Sequence, residues 1–109
     1  MRIAQVAPPL ETVPPSAYGG TERIIHTLTE ELVRRGHDVT LFAAGGSQTS
    51  ARLVATCDQA AWRRDPPLRD LTPSWSVVLG RLLPELADFD VVHSHLDSVG
   101  FPLARWSSC

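Results

Sequence analysis

The chain has 109 residues, 43% of them hydrophobic and 20% charged, with ten basic against twelve acidic side chains and a formal charge of −2. That length allows one domain at most, and the apolar-to-charged balance is that of a globular fold, not a disordered segment. The charge provides no general basic field for nucleic acid or anionic membrane, and no apolar run approaches the ~20 residues of a membrane span.

Arg2-Ile3-Ala4-Gln5-Val6-Ala7 reads as a short strand with at least one buried face. Pro8, Pro9, Pro14 and Pro15 then forbid helix or inner strand as far as Gly20. A loop of that length in a compact domain is more often functional than idle. Ile24, Ile25, Leu28, Leu32 and Val33 recur at helical spacing and predict one apolar stripe on a helix from about Thr21 to Arg35. Thr21 is the expected cap, Glu22 suits the first turn, and Gly36 supplies a left-handed stop. Glu30 and Glu31 stand four residues ahead of Arg34 and Arg35, the better orientation for ion pairs. Asp38–Ala43 follows as a second strand, completing a βαβ unit with parallel strands and a right-handed crossover.

Residues 45–74 carry weaker signals. Arg52–Thr56 reads as a short third strand, and Arg63–Pro73, with Pro66, Pro67 and Pro73, as irregular surface. Trp75, Val78, Leu79, Leu82, Leu83 and Leu86 repeat at helical spacing and predict a second buried-face helix. Pro84 should kink or end it near Leu83. Phe89–Ser94 is the next strand, and residues 98–106 begin a further helix. There is no internal repeat, low-complexity tract or linker.

Two motifs could carry chemistry. In Tyr18-Gly19-Gly20-Thr21-Glu22, the glycines let the backbone turn tightly and let a ligand approach bare amides. The helix start behind them presents unpaired N–H groups and the positive end of the macrodipole. Gly19, Gly20 and Thr21 are therefore candidates for binding phosphate or substrate, on a loop expected to be mobile. An ordinary strand-to-helix turn would need the same small residues. No G-x-G-x-x-G occurs, so the dinucleotide fingerprint is not matched. In His93-Ser94-His95, residues two apart at a strand end point to one side, so both imidazoles could face one crevice. Open parallel sheets bind ligands outside the carboxyl ends of their strands, where the diglycine loop would also lie. A strand-end histidine hydrogen-bonded to a neighbouring loop is the alternative. His26, Cys57 and Asp97 add no further ligand at zinc-binding spacing, so no metal is expected. Glu11 and Asp97 read as solvated carboxylates within reach of the same mouth. Trp62, Trp75 and Trp106 read as core or lid packing, because no basic residues interleave them.

All ten basic residues are arginine. Without lysine, a Walker-type phosphate loop and Schiff-base chemistry are excluded. Cys57 and Cys109 make neither a disulfide framework nor a metal cluster, and Met1-Arg2 leads into no signal-peptide pattern. A reducing cytoplasm is the expected location.

Taken in order, Ile3–Pro9, Tyr18–Arg23, Leu32–Ala43 and Phe89–His95 resemble the N-terminal domain of a GT-B glycosyltransferase of the family 4 (GT4) type. The resemblance covers nearly the whole chain. It implies an α/β fold, a partial Rossmann-like (GT-B N-terminal) parallel sheet with flanking helices, across residues 1–109. It also implies a nucleotide-diphosphate sugar donor, an acceptor of unspecified kind, retention of anomeric configuration and no cofactor besides the donor. By position, Gly19 and Gly20 would approach the donor diphosphate or the acceptor. His95 would project into the cleft as the catalytic residue, with His93 beside it. The family's N-terminal domain continues with a further strand alongside residues 89–94. A C-terminal domain then carries most of the nucleotide site and a paired-glutamate motif. The 109 residues are thus expected to be an incomplete domain, inactive alone, with residues 89–94 at an open sheet edge. Two other classes of function are compatible. One is a non-enzymatic binding module, or half of a split enzyme completed by a separate C-terminal chain. The other is a flavodoxin-like regulatory domain, disfavoured by the lack of an acidic cluster on the first strand and by the length of the proline loop.

Overall fold

Four strands, Arg2–Val6 (β1), Asp38–Ala44 (β2), Arg52–Cys57 (β3) and Val91–Ser94 (β4), form one sheet in the order β3-β2-β1-β4. Every pairing is parallel, with Ile3 opposite both Val39 and Val91. The structure, a computed structural model, describes residues 1–66 and 68–100. Helix α1 (Gly20–Arg34) connects β1 to β2, and helix α2 (Thr72–Leu82) lies between β3 and β4. Short 3₁₀ segments cover Ala61–Arg63 and Leu83–Asp88.

The period-2 alternation of strand side chains sends successive residues to opposite faces, and both faces are covered. On one, Ala4, Val6 and Phe42 pack with Val78, Leu82 and Leu86 from α2 and the segment after it, together with Phe89 and Leu96. On the other, Ala7, Leu41 and Ala43 pack with Ile25 of α1 and with Val13 of the proline loop. Helices on both sides of a parallel sheet make this the expected α/β layer arrangement. β1, β2 and β3 step outward in one direction, and β4 then joins the opposite side of β1. The carboxyl ends of β1 and β4 therefore flank a topological switch point, where such sheets bind ligands.

Several expectations need correction. The buried strip of α1 runs through Glu22, Ile25 and Thr29, whereas Ile24 is 65% exposed. Its five apolar residues span a wider arc than the strip of helix that touches the sheet. The helix begins one residue early, at Gly20, and its cap position is Gly19 with no side-chain cap bond, so Thr21 is not the cap. Gly36, at φ +88, terminates it as expected. The N–H groups of Gly36 and His37 return to the carbonyls of Val33 and Leu32, a Schellman closure. Glu31 takes both arginines, Arg34 and Arg35, and their hydrogen bonds hold its carboxyl at about 2. Glu30 instead accepts from Thr49 Oγ1 and the Ser50 amide, tying α1 to the β2–β3 loop. Helix α2 starts at Thr72, earlier than expected, because Pro73 fits a first turn that needs no N–H donor. It gives way to 3₁₀ geometry at Leu83, beside Pro84, as the sequence requires, but Leu83 is 44% exposed and not part of the buried face. β4 begins at Val91, two residues later than expected. Asp90 is engaged with Arg2, through the backbone amide and the guanidinium, and Phe89 turns inward against Phe42. Among the described residues β4 pairs only with β1. Residues 97–100 adopt 3₁₀ turns, and the remainder of the helix expected over 98–106 lies outside the described residues.

Candidate active site

The proline loop leads to the diglycine turn through backbone hydrogen-bonded at several points. Its prolines cannot donate, so their carbonyls and the few free amides carry the anchoring. Pro9 and Leu10 carbonyls accept from the Ala61 and Trp62 amides at 2.9 Å each. The Val13 amide donates to Ser47 Oγ, and the Gln48 amide donates to the Val13 carbonyl. Gly19 is needed for close approach: a Cβ there would lie 2.8 Å from Pro15 Cβ and 3.0 Å from Glu22 Oε2.

A cavity of roughly 350 Å³ opens at this point. It is lined by the proline loop and the start of α1, from Pro8 and Leu10 to Tyr18–Glu22. Trp62, Trp75, His95 and Asp97 line it as well. The two motifs singled out from the sequence thus meet at the carboxyl edge of β1 and β4. Gly19, Gly20, Thr21 and His95 line the cavity directly. His93 does not; it lies on the exposed side of His95, with ring centroids 4.2 Å apart. Trp62 is 46% exposed and lines the cavity with Trp75, so of the core and lid readings the core one does not hold for Trp62. Trp106 lies outside the described residues. Among the described residues no group of three or more His, Cys, Asp or Glu side chains could hold a metal ion.

His95 is placed by two bonds to β1. Its amide donates to the Val6 carbonyl, and its Nε2 lies 2.9 Å from Gln5 Oε1. With Oε1 as acceptor, Nε2 carries the proton and Nδ1 is left as the acceptor of the ring. Burial, reinforced by the nearby His93, depresses the imidazole to about 4, so it is neutral at physiological pH. Gln5 is fully buried, and its side-chain nitrogen has no partner. A buried amide in the middle of an otherwise apolar first strand is the signal that could have found it. Glu22 is 3% exposed and lines the same cavity. Burial pushes its carboxyl above the ordinary range and the charge of Glu11 adds to this, while its own backbone N–H opposes the shift.

The model of Glycosyltransferase Family 4 matches residues 18–108. The chain belongs to glycosyltransferase family 4. Six solved chains match it. One is AviGT4, a glycosyltransferase involved in avilamycin A biosynthesis, at 29% identity and a TM-score of 0.60 over 90% of this chain. The match covers 26% of AviGT4, so this chain spans about a quarter of that enzyme's length. No curated protein matches. The four-stranded parallel sheet with flanking helices is accordingly the Rossmann-like arrangement of the N-terminal part of a GT-B glycosyltransferase. No helix among the described residues is long and apolar enough to cross a membrane.

In this family 4 fold Glu11 is structural, which corrects its reading as a solvated carboxylate. It is 2% exposed and accepts from Arg63 Nε and the Thr12 amide, and Arg63 also reaches Ser16. Burial alone would raise the Glu11 carboxyl, but the bonds from Arg63 and Thr12 outweigh it and hold it below its usual 4.5. Because Arg63 adjoins Trp62, the pair ties the glycine loop to the aromatic wall. A carboxylate depressed by folding stabilises above its unfolded pKa, and that stabilisation is lost as pH falls through the folded value. Arg63→Met should therefore lower the melting temperature by a few degrees at pH 7, and the loss should shrink as pH falls from 4.5 through the lowered folded value. Thermal unfolding followed from pH 7 down through that range checks this, and a loss that does not change with pH would mean the pair does not act by charge.

Proposed function

We propose that this chain is the acceptor-side part of a retaining glycosyltransferase that draws its sugar from a nucleotide-diphosphate donor in the cytoplasm. The convergence of Gly19–Thr21 and His95 on one cavity at the switch point of the sheet carries the reading. The free amides at the start of α1 serve as donors to substrate oxygens, and His95 is the catalytic residue. Its neutral ring hydrogen-bonds a hydroxyl beside the reacting anomeric carbon as charge develops there. His93 supports binding from the rim. Chemistry of this kind needs no cofactor besides the donor and no nucleic acid. It does need a nucleotide site, which a C-terminal domain, whether on a separate chain or not, would supply.

Incubation with uridine-, guanosine- and adenosine-diphosphate sugars tests the division of labour. The 109 residues alone are expected to give no transfer, and addition of a donor-binding domain of the same family is expected to produce it. Robust turnover by the chain alone overturns the proposal that it is one half of the machinery. Failure of every complemented mixture, with the chain folded, overturns the acceptor-side assignment.

A further inference from the structure

We propose that the cavity beside the diglycine turn selects an uncharged, polyhydroxylated acceptor and rejects phosphorylated ones, with Glu22 and Asp97 as hydroxyl-binding groups and Trp62 with Tyr18 as the surface its apolar face lies against. The inference rests on the acceptor-side reading above and adds the chemical class of the acceptor.

The cavity's charge is the first observation. Among the described residues two carboxylates, Glu22 and Asp97, line it, and no guanidinium does. The chain has no lysine to add one. Arg23, next to the helix start, turns away to donate to the Ala17 carbonyl and lines a different groove with Ile24 and Thr27. Arg63 is taken by Glu11 and Ser16. Arg64 and Arg81 line a separate groove beside Cys57. Among the described residues no cation pairs with Glu22, although it is 3% exposed. A phosphate entering here would meet helix-terminal amides but also a buried carboxyl with no cation beside it, and like charges at short range are costly.

The aromatic wall is the second. Tyr18 is 82% exposed and Trp62 about half-buried, and their ring centroids are 6.4 Å apart at a tilt of 33°. Trp75 lines the same cavity. Exposed aromatic faces next to carboxylates suit a sugar or cyclitol ring. Such a ring has an apolar face of C–H groups and an equator of hydroxyls that donate to carboxylate oxygens. Asp97 is held in the left-handed region at φ +59, a conformation aspartate tolerates, which turns the chain immediately after His95 and Leu96. A neutral His95 fits the same ligand, because its free ring nitrogen can take one more hydroxyl.

The test is an amide and indole NMR titration of the 109-residue chain with paired probes. A panel of neutral mono- and disaccharides and myo-inositol is compared with glucose 6-phosphate, inositol 1-phosphate and inorganic phosphate. Neutral probes are expected to move Gly19–Glu22 and the Trp62 and Trp75 indoles, with affinities at least about tenfold above those of their phosphorylated partners. Glu22→Gln keeps the shape and removes the charge. It should bring the phosphorylated probes to within a few-fold of the neutral ones. Trp62→Ala, at a position 46% exposed, should weaken neutral probes several-fold with the chain still folded by its amide spectrum. Tighter binding of the phosphorylated probes, or a preference unchanged in Glu22→Gln, overturns the inference and leaves the glycosyltransferase reading standing. If saccharides of either kind move nothing at the cavity while the chain is folded, the acceptor-side reading fails with it.

Discussion

Phe42→Ala is expected to leave the chain largely unfolded at physiological temperature. Phe42 is fully buried in the centre of β2, on the face packed by α2, and its ring meets Phe89 edge to face at 5.9 Å. Truncating a buried phenylalanine costs about 3–5 kcal/mol, through lost transfer energy and an unfilled cavity. An aromatic pair adds about 0.5–1.5 kcal/mol beyond its buried area. A domain of this size has only about 5–15 kcal/mol in total, so one substitution removes a large share of it. For a chain of this length the melting temperature should fall by at least about 12 °C. Val77→Ala, at a position 45% exposed on α2, should change stability by no more than about 0.5 kcal/mol. Denaturant unfolding followed by circular dichroism measures both. A loss below about 1 kcal/mol at Phe42 would show that the α2 face does not hold the sheet together.

His95→Ala should lower the turnover of the complemented enzyme by about 10²–10³-fold, as loss of one preorganised hydrogen-bonding group at a developing charge does. The effect should fall on kcat with little change in KM, because the interaction strengthens only as the reaction proceeds. Gln5→Leu should reproduce part of the loss. Gln5 touches no cavity surface, yet its Oε1 fixes the His95 ring at 2.9 Å, so it acts as a positioning residue. The pH profile provides a separate check. His95 titrates near 4 in the fold against an ordinary 6.5, so activity that depends on the neutral ring should stay flat from pH 7 down to about 5. Stability moves earlier. The unfolded chain takes up the proton first, so the fold loses stability as pH drops from about 6.5 toward 4. A kcat profile that instead breaks near 6.5 would mean that the ring is solvated in the working enzyme.

The layer architecture was legible because each element obeys a local rule. Ile25, Leu28 and Leu32 mark α1 at helical spacing, Gly36 ends it in a left-handed turn, and Pro84 ends α2. The meeting of Gly19–Gly20 with His95 was legible too, since strand ends in a parallel sheet share one edge. What the sequence hid depends on packing between distant segments. Ile24 and Ile25 look alike in a hydropathy pattern, and only the tilt of α1 on the sheet decides that one is solvated and the other buried. Glu11 reads as one more loop carboxylate until Arg63, 52 residues away, is brought against it. Trp62 reaches the cavity by a 3₁₀ turn that begins after Ala60 and is fixed by proline-loop carbonyls, a contact no periodicity announces. Gln5 could have been found, since a polar residue in the middle of a buried strand needs a partner.

The partners that complete the site, Gln5 and His95, are 90 positions apart. During synthesis β1 emerges first and must wait, paired only with β2, until almost the whole of the described chain has left the ribosome. Closing so long a span is the slow, entropically expensive step of such a topology. The nascent domain therefore carries an unsatisfied strand next to its future cavity, and at that stage a chaperone or a complementary chain has its best opportunity to engage it.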